Sequence, residues 1–84
     1  MTPSGLRVDQ MLDLRGLDRP QAYAQTVQRL QGMGENDILE LHIDEGQALD
    51  TLPFALRAEG HEILVSEPAQ SGVRLLVRKR SLIP

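Results

Sequence analysis

The sequence predicts an α/β (α+β) fold: a two-layer sandwich of order β-α-β-α-β-β, with two helices on one face of a four-stranded mixed sheet. Three observations support this prediction. Short stretches alternate apolar and polar residues, as half-buried strands do. Two longer stretches repeat apolar residues every three to four positions, as amphipathic helices do. Glycines and prolines separate these stretches where the chain must turn.

The first half of the chain predicts a parallel β-α-β unit. A strand is expected over residues 8–14, and its apolar face carries Val8, Leu12 and Leu14. A helix is expected from Pro20 to about Gln31, because proline suits the first helical turn, and Gly32 ends it. The apolar stripe of this helix is Tyr23, Val27 and Leu30. The stretch "DILELHI" then alternates clearly and predicts the second strand.

The second half predicts one more helix and an antiparallel hairpin. The helix is expected over residues 48–59, ending at Gly60, with Pro53 inside it, so its regular part should begin near Thr51. Its stripe is Leu49, Leu52 and Leu56. "HEILVSE" and "VRLLVRK" predict strands three and four, and "PAQSG" a connection of moderate length.

Length and composition limit the functional classes. The 84 residues indicate one domain, expected over residues 8–80, with flexible ends at 1–7 and 81–84. No cysteine is present, which excludes disulfides, zinc-thiolate sites and thiol nucleophiles. The net charge of −3 argues against a surface that binds duplex nucleic acid. No signal peptide or apolar membrane span is recognisable, so we expect a cytoplasmic protein.

One stretch, "LDLRGLDRPQAY", raises a question about helix capping. If Pro20 opens the helix, Arg19 becomes its cap residue. Arginine has no side-chain acceptor for the free amides of a first turn. Its charge also lies at the positive end of the helix dipole, which costs about 0.3–1 kcal/mol.

The same stretch resembles the signature of the TusA-like (SirA-like) sulfur-carrier family. In that family a strand leads into Arg-Gly-Leu-x-Cys-Pro-x-Pro at the start of the first helix. The residues Arg15, Gly16, Leu17 and Pro20 match this motif. "HIDEGQALDTLPFALRAEGHEI" and "GVRLLVRK" are also similar to later parts of the family, so the resemblance spans roughly residues 12–79. It implies the same β-α-β-α-β-β sandwich, and a persulfide carried on the motif cysteine and passed between partner proteins.

This sequence departs from the family motif where the chemistry takes place. Arg19 occupies the cysteine position and Ala22 that of the second proline. A guanidinium group is not a nucleophile and cannot hold a sulfane sulfur. We therefore expect no catalytic residue and no cofactor. The resemblance then implies a protein-binding or regulatory member of a sulfur-relay system, which docks a partner through Arg15, Gly16, Leu17, Arg19 and Pro20.

The sequence leaves other interpretations of Arg19 open. With Arg15 and the helix amides it would form a site for a small anion such as sulfite, thiosulfate or phosphate. Alternatively, Arg19 replaced the cysteine without any ligand and pairs with Asp18 or Asp13 at the surface, contributing about 0–1 kcal/mol. An introduced cysteine-to-arginine change would give the same sequence.

Three further features are candidates for binding. Phe54 lies off the apolar stripe of the second helix, which makes it either a partner contact or a cover for an irregular first turn. The open sheet face is expected to carry the apolar residues Met11, Ile38, Leu64 and Leu76 among charged cross-strand pairs. These apolar residues are either scattered singly or form a small patch for a dimer or a partner, and we expect them to be scattered. His42 and His61 lie on different strands and have no cysteine partners, so we expect no metal site.

Overall fold

The computed structural model describes residues 7–46 and 52–80 and confirms the predicted fold class. Its elements are β1 Gln10–Asp13, α1 Arg19–Gln31, β2 Ile38–Ile43, α2 Leu52–Ala58, β3 Glu62–Ala69 and β4 Gly72–Arg78. The sheet order is β1-β2-β4-β3, with β1 parallel to β2 and the other neighbours antiparallel. No helix within residues 7–46 and 52–80 is long and apolar enough to cross a membrane.

Both helices pack on one sheet face and form a single core with it. The core contains Leu14, Ala22, Leu30, Met33, Leu39, Leu41, Ile43, Leu52, Leu56, Leu75 and Val77. Leu30 of the predicted α1 stripe is buried, whereas Tyr23 and Val27 are only half-buried and the other buried residues of the helix are Ala22 and Thr26. The buried Thr26 hydroxyl donates to the Ala22 carbonyl at 2.8 Å, so its polar group is satisfied inside the core.

The open sheet face carries the predicted charged pairs, but two of its apolar residues are not exposed. Arg78 pairs with Glu62, its cross-strand partner, at 3.2 Å. Ile38 and Leu76 are only 7% and 3% exposed, contrary to the expectation of scattered surface residues. Leu76 lies on the inner strand β4, opposite Glu40 of β2 and Val65 of β3, and Ile38 lies opposite Arg78. Met11 is exposed, as predicted.

The β3–β4 hairpin is tighter than the sequence indicates. β3 continues through Pro68 to Ala69, and two residues connect it to Gly72, so "PAQSG" is not a loop of moderate length. Proline is tolerated because β3 is an edge strand of the sheet. Gly72 has a φ of +141°, and a Cβ atom there would lie 2.1 Å from the Ile43 carbonyl oxygen. Only glycine therefore fits this backbone position without rearrangement.

The other boundaries differ slightly from the predictions. β1 is shorter than residues 8–14, and residues 48–51 of the predicted second helix lie outside the described residues. α2 ends as predicted near Gly60, whose φ is +96°. The His61 amide donates to the Leu56 carbonyl at 3.1 Å and the Gly60 amide to the Arg57 carbonyl at 2.9 Å, which is a Schellman cap.

Candidate functional site

The five motif residues lie on one segment, the loop between β1 and α1 and the first turn of α1. We call residues 15–20 the motif loop. It follows the end of β1, next to the end of β2, so Asp44 directly after β2 can reach it. The Gly16 amide donates to Asp44 Oδ2 at 2.9 Å, and Gly16 has a φ of +87°. This glycine allows the turn, and Asp44 ties the turn to the parallel strand pair.

Arg15 is held by the last residue of β1. Its Nε and Nη2 atoms donate to the two carboxylate oxygens of Asp13 at 2.9 and 2.8 Å, and its backbone amide donates to the same carboxylate at 3.1 Å. The hydrogen bonds from the Arg15 side chain have the largest effect, followed by the one from its backbone amide. Together they hold the pKa of Asp13 well below its usual range. The Asp13 carboxylate also raises the pKa of Arg15. Asp13 therefore pairs with Arg15 at the surface, and the predicted pairing of Arg19 with Asp18 or Asp13 stays a prediction.

The helix cap is Asp18, which corrects the prediction that Arg19 caps the helix. Asp18 has an extended backbone, and its Oδ1 accepts a hydrogen bond from the Gln21 amide at 2.9 Å. Arg19 is the first helical residue, and Pro20 still lies within the first turn, where its missing N–H has no partner to lose. The helix thus begins with a good cap and an arginine one residue further on.

The remaining motif side chains divide between surface and core. Leu17 is half-buried and packs against the core, and its amide donates to the Leu14 carbonyl at 3.2 Å. Arg19 and Pro20 are exposed on the first turn of α1. The motif loop is therefore anchored by Leu17 on its inner side and presents arginine and proline on its outer side.

Sequence reasoning named Asp13 and Asp18 only as surface partners of Arg19 and gave Asp44 no role, so it missed how these three carboxylates hold the loop. Asp18 could have been recognised as the cap, because it lies three residues before Gln21, the usual cap spacing. Asp13 and Arg15 are two residues apart, and such local pairing of an aspartate is common. The contact between Asp44 and Gly16 joins residues 28 apart, and no local pattern signals it.

The same carboxylates occupy donors that the small-anion hypothesis needs. The Arg15 guanidinium, the Gly16 amide and the Gln21 amide each already donate to a protein carboxylate. A free anion would have to displace these groups, so nothing in the geometry favours that hypothesis. No group of three or more His, Asp or Glu side chains within the described residues is placed to hold a metal ion.

Phe54 is the other candidate contact. It lies on α2, its side chain is 74% exposed, and Leu52 and Leu56 on the same helix are buried. The prediction that it lies off the apolar stripe is confirmed, and its contact with a partner stays a prediction.

Comparisons with known proteins identify relatives of this chain. The family model described as sulfurtransferase TusA matches residues 10–79 of the chain. The chain is also 29% identical over 76 residues to a protein of Archaeoglobus fulgidus named "Putative sulfur carrier protein". That alignment covers 89% of this chain and 86% of the relative.

Proposed function

The chain belongs to the TusA sulfurtransferase family, and from this premise we propose that it binds a protein of a sulfur-relay system without carrying sulfur itself. One observation carries the proposal: the 84 residues contain no cysteine, and the motif position at the start of α1 holds Arg19. A persulfide needs a thiolate sulfur to form on, and a guanidinium group has none. In this proposal the protein is a non-enzymatic, regulatory member of the family that acts in the cytoplasm.

The motif loop supports a docking role because three carboxylates hold its backbone in place. Asp44 holds Gly16, Asp13 holds Arg15 and Asp18 caps the helix. These contacts fix the backbone of a surface loop that contains no catalytic group. A rigid surface loop loses little conformational entropy on binding, which favours its use as a recognition element.

The test is capture of partner proteins from the cells that produce the protein. The bait is compared with a double variant, Arg15→Glu with Arg19→Glu, and a milder one, Arg15→Gln with Arg19→Gln. A matched control reverses two exposed arginines at the opposite end of the sheet, Arg7→Glu with Arg80→Glu.

A persulfide-specific label then shows whether the captured protein carries sulfane sulfur. We expect one labelled protein with the original bait and the control, and none with the Glu variant. Unchanged capture by the Glu variant would contradict the docking role of the loop. If every captured protein lacks sulfane sulfur, the relay role is contradicted.

A further inference from the structure

The end of β4 is held where three segments of the chain meet. The Lys79 amide donates to the Asp37 carbonyl at 2.8 Å, and the Asn36 amide donates to the Lys79 carbonyl at 2.9 Å. One residue further on, the Arg80 amide donates to Nδ1 of His61 at 3.1 Å. Lys79 is therefore held by backbone groups that do not titrate, whereas Arg80 is held by an imidazole nitrogen that does.

The end of α2 positions His61 for this contact. His61 directly follows Gly60, and its own amide is bonded to the Leu56 carbonyl in the Schellman cap. A backbone amide can only donate, so Nδ1 of the neutral ring accepts through its lone pair and the ring proton lies on Nε2. Protonation of Nδ1 places a hydrogen where the lone pair was, so the hydrogen bond from Arg80 is lost.

The side chain of Arg80 adds little to this attachment. Its guanidinium nitrogens lie 3.8 Å from a carboxylate oxygen of Glu35 and 3.8 Å from one of Glu62, and all three side chains are about half exposed. Exposed ion pairs of this length contribute little to stability. Among the described residues, His61 is therefore the main restraint on the Arg80 backbone.

The charged groups near His61 lie on four parts of the chain. They are Glu59 at the end of α2, Glu35 on the loop between α1 and β2, Glu62 beside His61 in β3, and Arg78, Lys79 and Arg80 at the end of β4. Burial has the largest effect and lowers the pKa of His61; the Glu59 and Glu35 carboxylates oppose burial, and the Lys79 ammonium adds to it. The neutral ring is therefore favoured at neutral pH, and protonation requires mildly acid solution.

We propose that the hydrogen bond between His61 and Arg80 is a pH-sensitive latch on the end of β4. A proton taken from solvent onto Nδ1 removes the acceptor of the Arg80 amide, and Arg80 detaches from the start of β3 while Lys79 stays paired. The latch controls whether the chain at Arg80 lies against the sheet or leaves it. It lies at the opposite end of the sheet from the motif loop, so it is independent of the proposed function.

The test follows the intact chain by NMR between about pH 5 and 8. Imidazole nitrogen shifts report the tautomer and protonation of His61. Solvent exchange, corrected for the intrinsic rate at each pH, reports the hydrogen bond of each amide. As His61 takes up a proton, the protection of the Arg80 amide should fall about fivefold with the same midpoint, because one hydrogen bond is lost. The Lys79 amide, one residue earlier, should keep its protection.

Three variants separate the latch from a general loosening of the chain end. His61→Asn carries an acceptor oxygen at the δ position and cannot be protonated, so the Arg80 amide should stay protected at every pH. His61→Phe has no acceptor, so the same amide should exchange fast at every pH. His42→Gln removes the other histidine of the chain and should leave the Arg80 titration unchanged.

Several results would overturn the latch. These are a ring proton on Nδ1 at high pH, an Arg80 amide whose protection does not follow the titration of His61, and full pH dependence in His61→Asn. Loss of protection at Lys79 together with Arg80 would also contradict it, because the end of the sheet would then open as a unit.

Discussion

Removing the Asp18 carboxylate should destabilise the domain, whereas removing the Arg19 side chain should not. Asp18 Oδ1 accepts the Gln21 amide hydrogen at 2.9 Å and is the cap of α1. Replacing such a cap by alanine costs about 1 kcal/mol. In a domain of this size that loss lowers the Tm by roughly 4–8 °C. Arg19 lies one residue inside the helix, where Arg19→Ala should change the stability by less than about 0.5 kcal/mol.

The assay is thermal and urea unfolding of Asp18→Ala, Asp18→Asn and Arg19→Ala, followed by circular dichroism. Asparagine keeps the acceptor oxygen and loses only the interaction of the charge with the helix dipole, about 0.3–1 kcal/mol, so its loss should be the smaller of the two. Equal destabilisation by Asp18→Ala and Arg19→Ala would refute the assignment of the cap. So would full stability of Asp18→Ala.

Three other predictions follow from the fold. Gly72→Ala should lower the free energy of unfolding by about 3 kcal/mol in urea titrations, because its Cβ would approach the Ile43 carbonyl oxygen; full stability would contradict that contact. Leu56→Ala should cost about 2–5 kcal/mol, because Leu56 is fully buried, and a smaller loss would contradict its burial. Burial lowers the pKa of His61, whose Nδ1 accepts the Arg80 amide hydrogen, so unfolding titrations should show stability falling as pH drops below about 6.5. His61→Gln should remove this part of the pH dependence.

The order of the elements, the parallel β1–β2 pair and the antiparallel β3–β4 hairpin could be predicted because local pattern and tertiary structure agree. The pairing of β2 with β4 was not predicted. Leu39, Leu41 and Ile43 alternate in the sequence and are all fully buried on the helical side of the sheet. The predicted end of the second helix is correct for a similar reason. Gly60 supplies the left-handed residue that a helix end requires.

The errors arise where one residue suits two local structures. Pro20 fits either of the first two helical positions, and taking it as the first placed the cap wrongly at Arg19 instead of Asp18. Pro68 is typical of a loop, but an edge strand also accepts it, and only the sheet order shows which applies.

The position of the candidate site was predicted, but the hydrogen bonds that hold its backbone were not. The motif residues lie where the pattern placed them, on the loop before α1. The contact between Asp44 and Gly16 forms because β1 and β2 are neighbours in the sheet. It joins residues 28 apart, so no local sequence pattern predicts it.

The most direct test of the central claim is the intact mass of the protein after incubation with its captured, persulfide-loaded partner. The original chain is compared with Arg19→Cys and with Arg57→Cys, which places a thiol in the last turn of α2. A thiolate at position 19 lies at the positive end of α1, which stabilises it.

The account predicts that all three proteins bind the partner and that only Arg19→Cys gains the mass of one sulfur atom. Sulfur gained by the original chain would contradict the claim that it binds without carrying sulfur. Equal gain by Arg19→Cys and Arg57→Cys would show that the motif loop does not direct the partner's persulfide.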